Sequence, residues 1–475
     1  MPTGTVGDGR GTTCGENGRR ALNQASPGCT LRGVVLVAVL LAAGGLGADT
    51  ARGEDLREAL TAAYLNNPRL ASGRDQLRAT DELVPQALAA GRPSLFLDGR
   101  VEGVTSDTDV AERDNRLGRG VALSLRQPLY AGGGIEAGIR RAENQVRAER
   151  AFLLSTQQSV LLASVDAYTA TWRDRAVLEL ARTNEMRLRR QLEATRDRFE
   201  VGEVARTDVA QAEARLSRAR SDVELATADL AASTAAYRDV IGIDPGVLVD
   251  PQPLGRLPSS EPEAQALAAA NPDITTASFN LRAARDNVDV AFADILPSLT
   301  LTGDVSYDQQ PSQALDSSND ARIGLNLSVP LFQGGADYSR VRQNRQLVSA
   351  RRNDLENTLR GVQRSVTTAW ERVIAARAAI DALESEVRAN GIALEGVQEE
   401  ALVGQRTVLD VLDAENELFV SQVDLVRARR EWVLATYQLK SAIGELTVAR
   451  LDLPVEPFDD ERYYNRVRNR LFGLE

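Results

Sequence analysis

Two stretches, QPLYAGG at residues 127–133 and VPLFQGG at 329–335, spell nearly the same sentence 202 residues apart. The repetition extends well beyond them. Asn67-Pro68 returns as Asn271-Pro272, and Pro93-Ser94-Leu95 as Pro297-Ser298-Leu299, both at an offset of 204. After a two-residue slip the offset stays at 202: Tyr168 answers Trp370, Val201-Gly202 answers Val403-Gly404, and Asp208-Val209 answers Asp410-Val411. Ala212-Glu213 likewise answers Ala414-Glu415, and Ile241-Gly242 answers Ile443-Gly444. The chain is a tandem duplication, too long in period for a solenoid repeat.

Each half reads as helix, strand, strand, very long helix, turn, helix. In SLFLDGRVEG (94–103), Leu95, Leu97, Gly99 and Val101 alternate with Asp98, Arg100 and Glu102. VALSLRQ (121–127), LTLTGDVSY (299–307) and IGLNLSV (323–329) alternate in the same way, a half-buried strand pattern. These signals predict strands over about 94–104, 119–128, 298–307 and 322–330. The Asp/Ser-rich segments TSDTDVAERDNRLG and DQQPSQALDSSNDA between them read as loops. From Leu355, small and apolar residues recur at 355, 359, 362, 366, 369, 373, 376, 380, 383 and 387. That 4-3 spacing is a coiled-coil seam. With no proline from 335 to 401, one helix of about 60 residues and ~90 Å is allowed. Long helices are expected at about 135–200 and 336–401, followed by helices at about 206–242 and 407–446. The repeats then occupy 54–250 and 251–450, with a tail at 451–475.

Residues 1–53 differ. Arg19, Arg20 and Arg32 precede the apolar run VVLVAVLLAAGGLG (34–47), and small residues follow, the order of a secretory signal cleaved between Gly47 and Gly53. The run is too short for a membrane anchor. Cys14 and Cys29 both lie before it, so the exported chain has no thiol, and the sequence contains no histidine. Thiol and Ser-His catalysis and the usual zinc sites are thereby excluded, and no phosphate-binding glycine loop occurs; no enzyme and no cofactor are expected. Residues 1–53 carry a net charge of +2, so the remainder carries −13 of the total −11. That balance disfavours nucleic acid as a partner. Mean hydropathy is −0.25, and aromatic residues make up only 4%.

Strands of about nine residues with one apolar and one polar face suit a barrel wall between lipid and water. Four strands cannot close a barrel, and open edges are not tolerated in lipid. Three copies would supply twelve. An ordinary sheet in a soluble periplasmic coiled-coil scaffold is the alternative, which detergent-free extraction would reveal.

The duplicated pattern resembles the TolC-type outer-membrane channels over residues 54–450. The resemblance rests on the two NP and PSL motifs, on PLYAGG and PLFQGG, and on the turns VGEVARTDVAQAEA and VGQRTVLDVLDAEN. It implies a mainly α protein with membrane β: a homotrimer whose twelve-stranded β-barrel sits in outer-membrane lipid and continues into a long periplasmic α-helical coiled-coil barrel. As the exit duct of a tripartite efflux pump or type I secretion system, it would partner a periplasmic adaptor and an inner-membrane RND or ABC transporter. Pro128 and Pro330 would end the strand ladders, with Tyr130 and Phe332 at the membrane boundary. Val201, Gly202, Val403 and Gly404 would form adaptor-contacting helix tips, the glycines as left-handed stops. Thr207 or Thr407 could cap the next helix.

The resemblance also places Arg406, Asp410 and Asp413 on the family's gate positions, with Thr207 and Asp208 as partners of the arginine. Asp410 and Asp413, three apart, share a helix face, and three copies would make a ring of six carboxylates. Arg406 could compensate Asp208 or Asp410. Solvated acids at a helix start are the plainer account. Where the family's gate has an aromatic residue, this chain has Ala401.

Overall fold

In a computed structural model the described residues are 54–108, 111–312 and 315–473. The export-signal reading of residues 1–53 and both cysteines lie outside them. The elements run α1 (Leu56–Asn66), α2 (Pro68–Asp81), α3 (Leu83–Ala89), β1 (Ser94–Thr108), β2 (Ala111–Ala131), α4 (Gly134–Glu200) and α5 (Arg206–Ile241). The second half continues with α6 (Glu261–Leu267), α7 (Pro272–Ala293), β3 (Ser298–Ser312), β4 (Leu315–Ser328), α8 (Ala336–Leu402) and α9 (Val408–Ala442). The short α10 (Arg462–Val467) ends the series.

The long helices α4 and α8 each contain 67 residues, about 100 Å at 1.5 Å per residue. Every one of the ten seam positions from 355 to 387 is buried or partly buried, whereas most residues between them are exposed. Only one stripe of α8 is therefore covered within the protomer, against α6, α7 and α9. α4 is wrapped more fully, by α5, α7 and α9.

The duplicated Asn-Pro has a specific task. Asn67 Oδ1 accepts from Arg69 N at 2.9 Å and so caps α2, while its Nδ2 donates to Val240 O at 2.8 Å. Asn271 repeats both bonds, to Asp273 N at 2.8 Å and Ala442 O at 2.9 Å. Each side chain thus satisfies an orphan donor at one helix start and an orphan carbonyl at the end of another. Proline at the next position needs no donor there. Both asparagines are buried. The largest core lies beside them, around Leu60, Leu161, Tyr168, Tyr237, Ile241 and Leu446. Glu54 closes it by pairing its backbone with Val247 and Val249.

The four strands form one antiparallel sheet in the order β1-β2-β3-β4, leaving β1 and β4 as edges. The strands are longer than the alternation predicts, at 15, 21, 15 and 14 residues. Most of the two polar segments read as loops is paired backbone. A ladder needs no apolar side chains to continue once its register is set by the alternating half nearer the helices. Pro128 does not end its strand. It pairs with Thr300, the register shifts by one residue between Pro128 and Tyr130, and β2 runs on to Ala131. This bulge absorbs the missing donor. In the second half the strand stops at Ser328, before Pro330. Gly132 and Gly133, like Gly334 and Gly335, take positive φ and turn the chain into the long helices.

The tail packs on the repeat region. Tyr463 Oη donates to Glu82 at 2.6 Å, Arg468 to Glu143 at 2.9 Å, and Arg150 to Glu461 at 2.9 Å. Among the described residues no helix is long and apolar enough to cross a membrane.

Candidate functional site

Register turns the sheet into rows. On one face Leu95, Leu125, Gly303 and Ile323 lie side by side, followed by Leu97, Leu123, Val305 and Ala321. Leu301 with Leu325, and Leu299 with Leu327, extend this face toward the helices. Leu97 is 74% and Ile323 81% exposed in the protomer. The opposite face carries Asp98, Arg100, Ser124, Arg126, Thr302, Asp304, Asp308 and Arg322. There Arg100 Nη2 donates to Asp308 Oδ1 at 3.0 Å. One apolar face, one charged face and two unpaired edges describe a segment of a closed wall. Tyr130 is half exposed, and Phe332 nearly fully so, at the junction with the helices.

At the far end the two helix tips share one stop. Gly202 and Gly404 have φ of 79° and 77°. Glu203 N donates to Arg198 O, and Gln405 N to Glu400 O, each at 2.9 Å. This backbone arrangement satisfies the last carbonyls of α4 and α8. Val201 and Val403, 73% and 70% exposed, project beside the glycines.

The helix starts that follow differ. Thr407 Oγ1 accepts from Asp410 N at 3.2 Å, and Asp410 Oδ2 accepts from Thr407 N at 2.9 Å and from Thr407 Oγ1 at 2.8 Å. This reciprocal cap holds the Asp410 carboxyl below its ordinary range, chiefly through the bonds from Thr407 and less through the charge of Arg406. In the first tip α5 begins at Arg206, so Thr207 lies inside the helix and does not cap it. Ala205 stands where the repeat has Thr407, and only the returning half of the box forms, Ala205 N to Asp208 Oδ2 at 3.1 Å.

Within one protomer Arg406 pairs with neither Asp208 nor Asp410. Its Nε donates to Glu400 Oε2 at 2.7 Å, which raises its pKa further. Glu400 is at the end of α8 in the same hairpin, so reaching it costs no movement between helices. Asp413 is bound instead by Arg215 of α5, at 2.5 Å. Sequence reasoning missed that arginine because the pair spans 198 positions and no short-range spacing marks it.

An acid was missed as well. Glu213 of the first repeat is exposed and accepts from Arg196 at 2.6 Å. Its counterpart Glu415 is 4% exposed, with no hydrogen bond at Oε2, and Gln398 replaces the arginine. Burial pushes the Glu415 carboxyl upward, partly opposed by the charge of Arg187. The offset comparison itself, Arg196 against Gln398, was the available signal. Nearby, Ala401 borders a cavity of about 290 Å³ with Gln191, Thr195, Arg198, Gln398 and Val411.

The sequence profile of the family described as "Outer membrane efflux protein" matches residues 59–242 and 264–445. Among curated proteins, outer membrane efflux protein BepC of Brucella suis is 35% identical over 444 residues, spanning 93% of this chain and 96% of BepC. Outer membrane protein TolC of Vibrio cholerae is 32% identical over 404 residues, spanning 83% of this chain and 91% of that protein. The fold is similar to the crystal structure of the Campylobacter jejuni CmeC outer membrane channel, with a TM-score of 0.76, 16% identity, and coverage of 88% of this chain and 89% of that one.

Proposed function

This chain belongs to the outer membrane efflux protein family, and from that membership we propose how its parts work as an exit duct. It is an outer-membrane channel of the kind that serves efflux pumps and secretion systems. Three copies joined β1 to β4 close a twelve-stranded barrel with the apolar face toward lipid and the charged face toward water. The long helices continue that wall through the periplasm. We read the duct as a passive conduit. A periplasmic adaptor seats on the tips around Val201, Gly202, Val403 and Gly404, and an inner-membrane transporter drives the cargo.

The observation that carries this reading is the four-stranded sheet with two open edges, apolar on one face, joined directly to 67-residue helices. An isolated sheet of that kind would leave its edges unsatisfied in lipid; a trimeric closure removes them.

In the trimer, Asp410 and Asp413 form a ring of carboxylates at the periplasmic entrance. Each is held in position, Asp410 by Thr407 and Asp413 by Arg215. Such a ring concentrates cations and repels anions. Arg406, bound to Glu400, sets the hairpin that presents them; Thr207 and Asp208 form the matching start of the first tip.

Single-channel conductance in a planar bilayer tests both levels. A cation-selective conductance that loses its selectivity in Asp410→Ala with Asp413→Ala is the expected result. Conductance with unchanged selectivity would remove the carboxylate ring and keep the duct. Protein that needs no detergent for extraction and forms no channel would remove the duct as well.

A further inference from the structure

The apolar face of the sheet has a boundary, and one cation sits on it. Moving from the helices toward the hairpins, the rows are apolar through Leu97, Leu123, Val305 and Ala321. The next row is Gly99, Val121, Tyr307 and Asn319, and the one after it Val101, Arg119, Gln309 and Ser317. From the Leu299–Leu327 row to the Tyr307 row is four steps of two residues, or about 27 Å along the strands. Tilted, this fits an apolar band of ~25 Å or slightly less. Tyr307 therefore stands at the band's outer rim, where aromatic side chains favour the interface, and Arg119 one row beyond it.

Arg119 is exposed and has no hydrogen bond or ion pair among the described residues. No acid shares its face in its own row or in the row below it. The charges of Arg100 and Asp308 point to the opposite face and are paired there. Beside Arg119 the surface sinks into a depression of about 440 Å³, lined by Gly99, Val101, Val121, Tyr307 and Gln309, with Arg100 and Gly120 completing the lining between them. Nothing lies within 4 Å of where a Cβ on Gly99 would stand. The hollow is thus apolar toward the band and capped by a cation and an amide on the hairpin side.

We propose that this hollow binds one anionic, phosphate-bearing lipid of the outer leaflet, its phosphate on Arg119 and Gln309 and its first acyl carbons against Val121, Tyr307 and the open floor at Gly99. The proposal rests on the reading of this face as lipid-facing. Guanidinium and phosphate match in charge and in paired-donor geometry, and the rim position puts both at headgroup depth. All lining residues come from β1, β2 and β3 of one chain, so the site is complete without a neighbouring copy.

Native mass spectrometry of the full chain in mixed micelles of phosphatidylglycerol and phosphatidylcholine tests it. Wild type is expected to retain phosphatidylglycerol in preference, and excess inorganic phosphate is expected not to displace it, since the acyl contacts belong to the lipid alone. Arg119→Gln should lower that preference about five-fold, the effect of one cation near an anionic surface, and Arg119→Lys should restore most of it. Arg126→Gln, on the opposite face, should leave it unchanged. Equal preference in wild type and Arg119→Gln, or displacement by free phosphate, would overturn the site while leaving a lipid-facing sheet. Retention of neither lipid by wild type would overturn the lipid-facing reading itself.

Discussion

Arg100 on β1 and Asp308 on β3 meet at 3.0 Å across the whole width of an intervening strand. The residue between them in the row is Gly120, and a Cβ there would collide with the Asp308 carboxylate. The pair exists because β2 offers no side chain at that one point. Replacing Gly120 by alanine should separate the partners. The loss in stability is expected to be about 1 kcal/mol or less, since Arg100 is largely exposed. A double-mutant cycle of Gly120→Ala with Asp308→Asn, read by heat dissociation in detergent, should give a combined loss smaller than the sum. Full additivity would mean the glycine serves some other purpose.

Glu415 gives a pH prediction. Its carboxyl is raised in the folded chain, so its favourable contribution is complete below about 4.5 and fades as pH rises through the folded value. Glu415→Gln should therefore stabilise α9 against α4 at pH 7, by about 1 kcal/mol. The advantage should vanish in acid. Melting followed by circular dichroism at pH 4 and pH 7 checks this, and an equal effect at both would contradict it.

The tail offers another. Asp81 is 1% exposed, neither carboxylate oxygen has a hydrogen bond, and burial pushes its pKa to about 6 against the pull of Arg150. Asp460 and Glu82 add to the rise. The sign is the same: packing of the tail beside Asp81 is strongest below about 3.8 and weakens as pH climbs through about 6. Asp81→Asn should remove this dependence and strengthen the packing at pH 7 by about 1–3 kcal/mol. Limited proteolysis within residues 455–470 should slow accordingly, and unchanged cleavage would tell against it.

Asn67 and Asn271 should be among the costliest polar positions. Substituting alanine removes a cap and strands a carbonyl at the end of α5 or α9, for about 1–3 kcal/mol at each site. Because the bonds repeat in both halves, the two losses should be similar and additive, as expected for distant sites. Serine, which caps but cannot reach Val240 or Ala442, should recover only part of the loss.

Much of this fold was legible because its rules are periodic. The 4-3 run from Leu355 and the alternation of Leu95, Leu97 and Val101 report faces directly, and the offset of 202 showed that both halves build the same thing. What stayed hidden depends on neighbours far away in the chain. The continuation of the strands through polar residues follows from pairing, which periodicity does not register. The bulge at Leu129 is a compromise between proline and an adjacent strand. At the tips the same limit applied: the backbone stop at Gly202 and Gly404 could be read from the sequence, and Thr207 and Thr407 as cap candidates, but not that only Thr407 caps. The choice of Glu400 by Arg406 and of Arg215 by Asp413 could not.

The equal lengths of α4 and α8 constrain how such a chain can change. Both begin after a Gly-Gly turn at the sheet and end at the same glycine stop 67 residues later, so the two hairpins come level at the far end. One residue inserted into either helix would lift its tip by ~1.5 Å and rotate every later side chain by about 100° off the seam. Insertions and deletions are thus tolerable only as whole heptads made in both repeats and in their returning helices together. The molecule can be lengthened or shortened to suit a deeper or shallower periplasm, but only in steps of about 10 Å and only as a matched set.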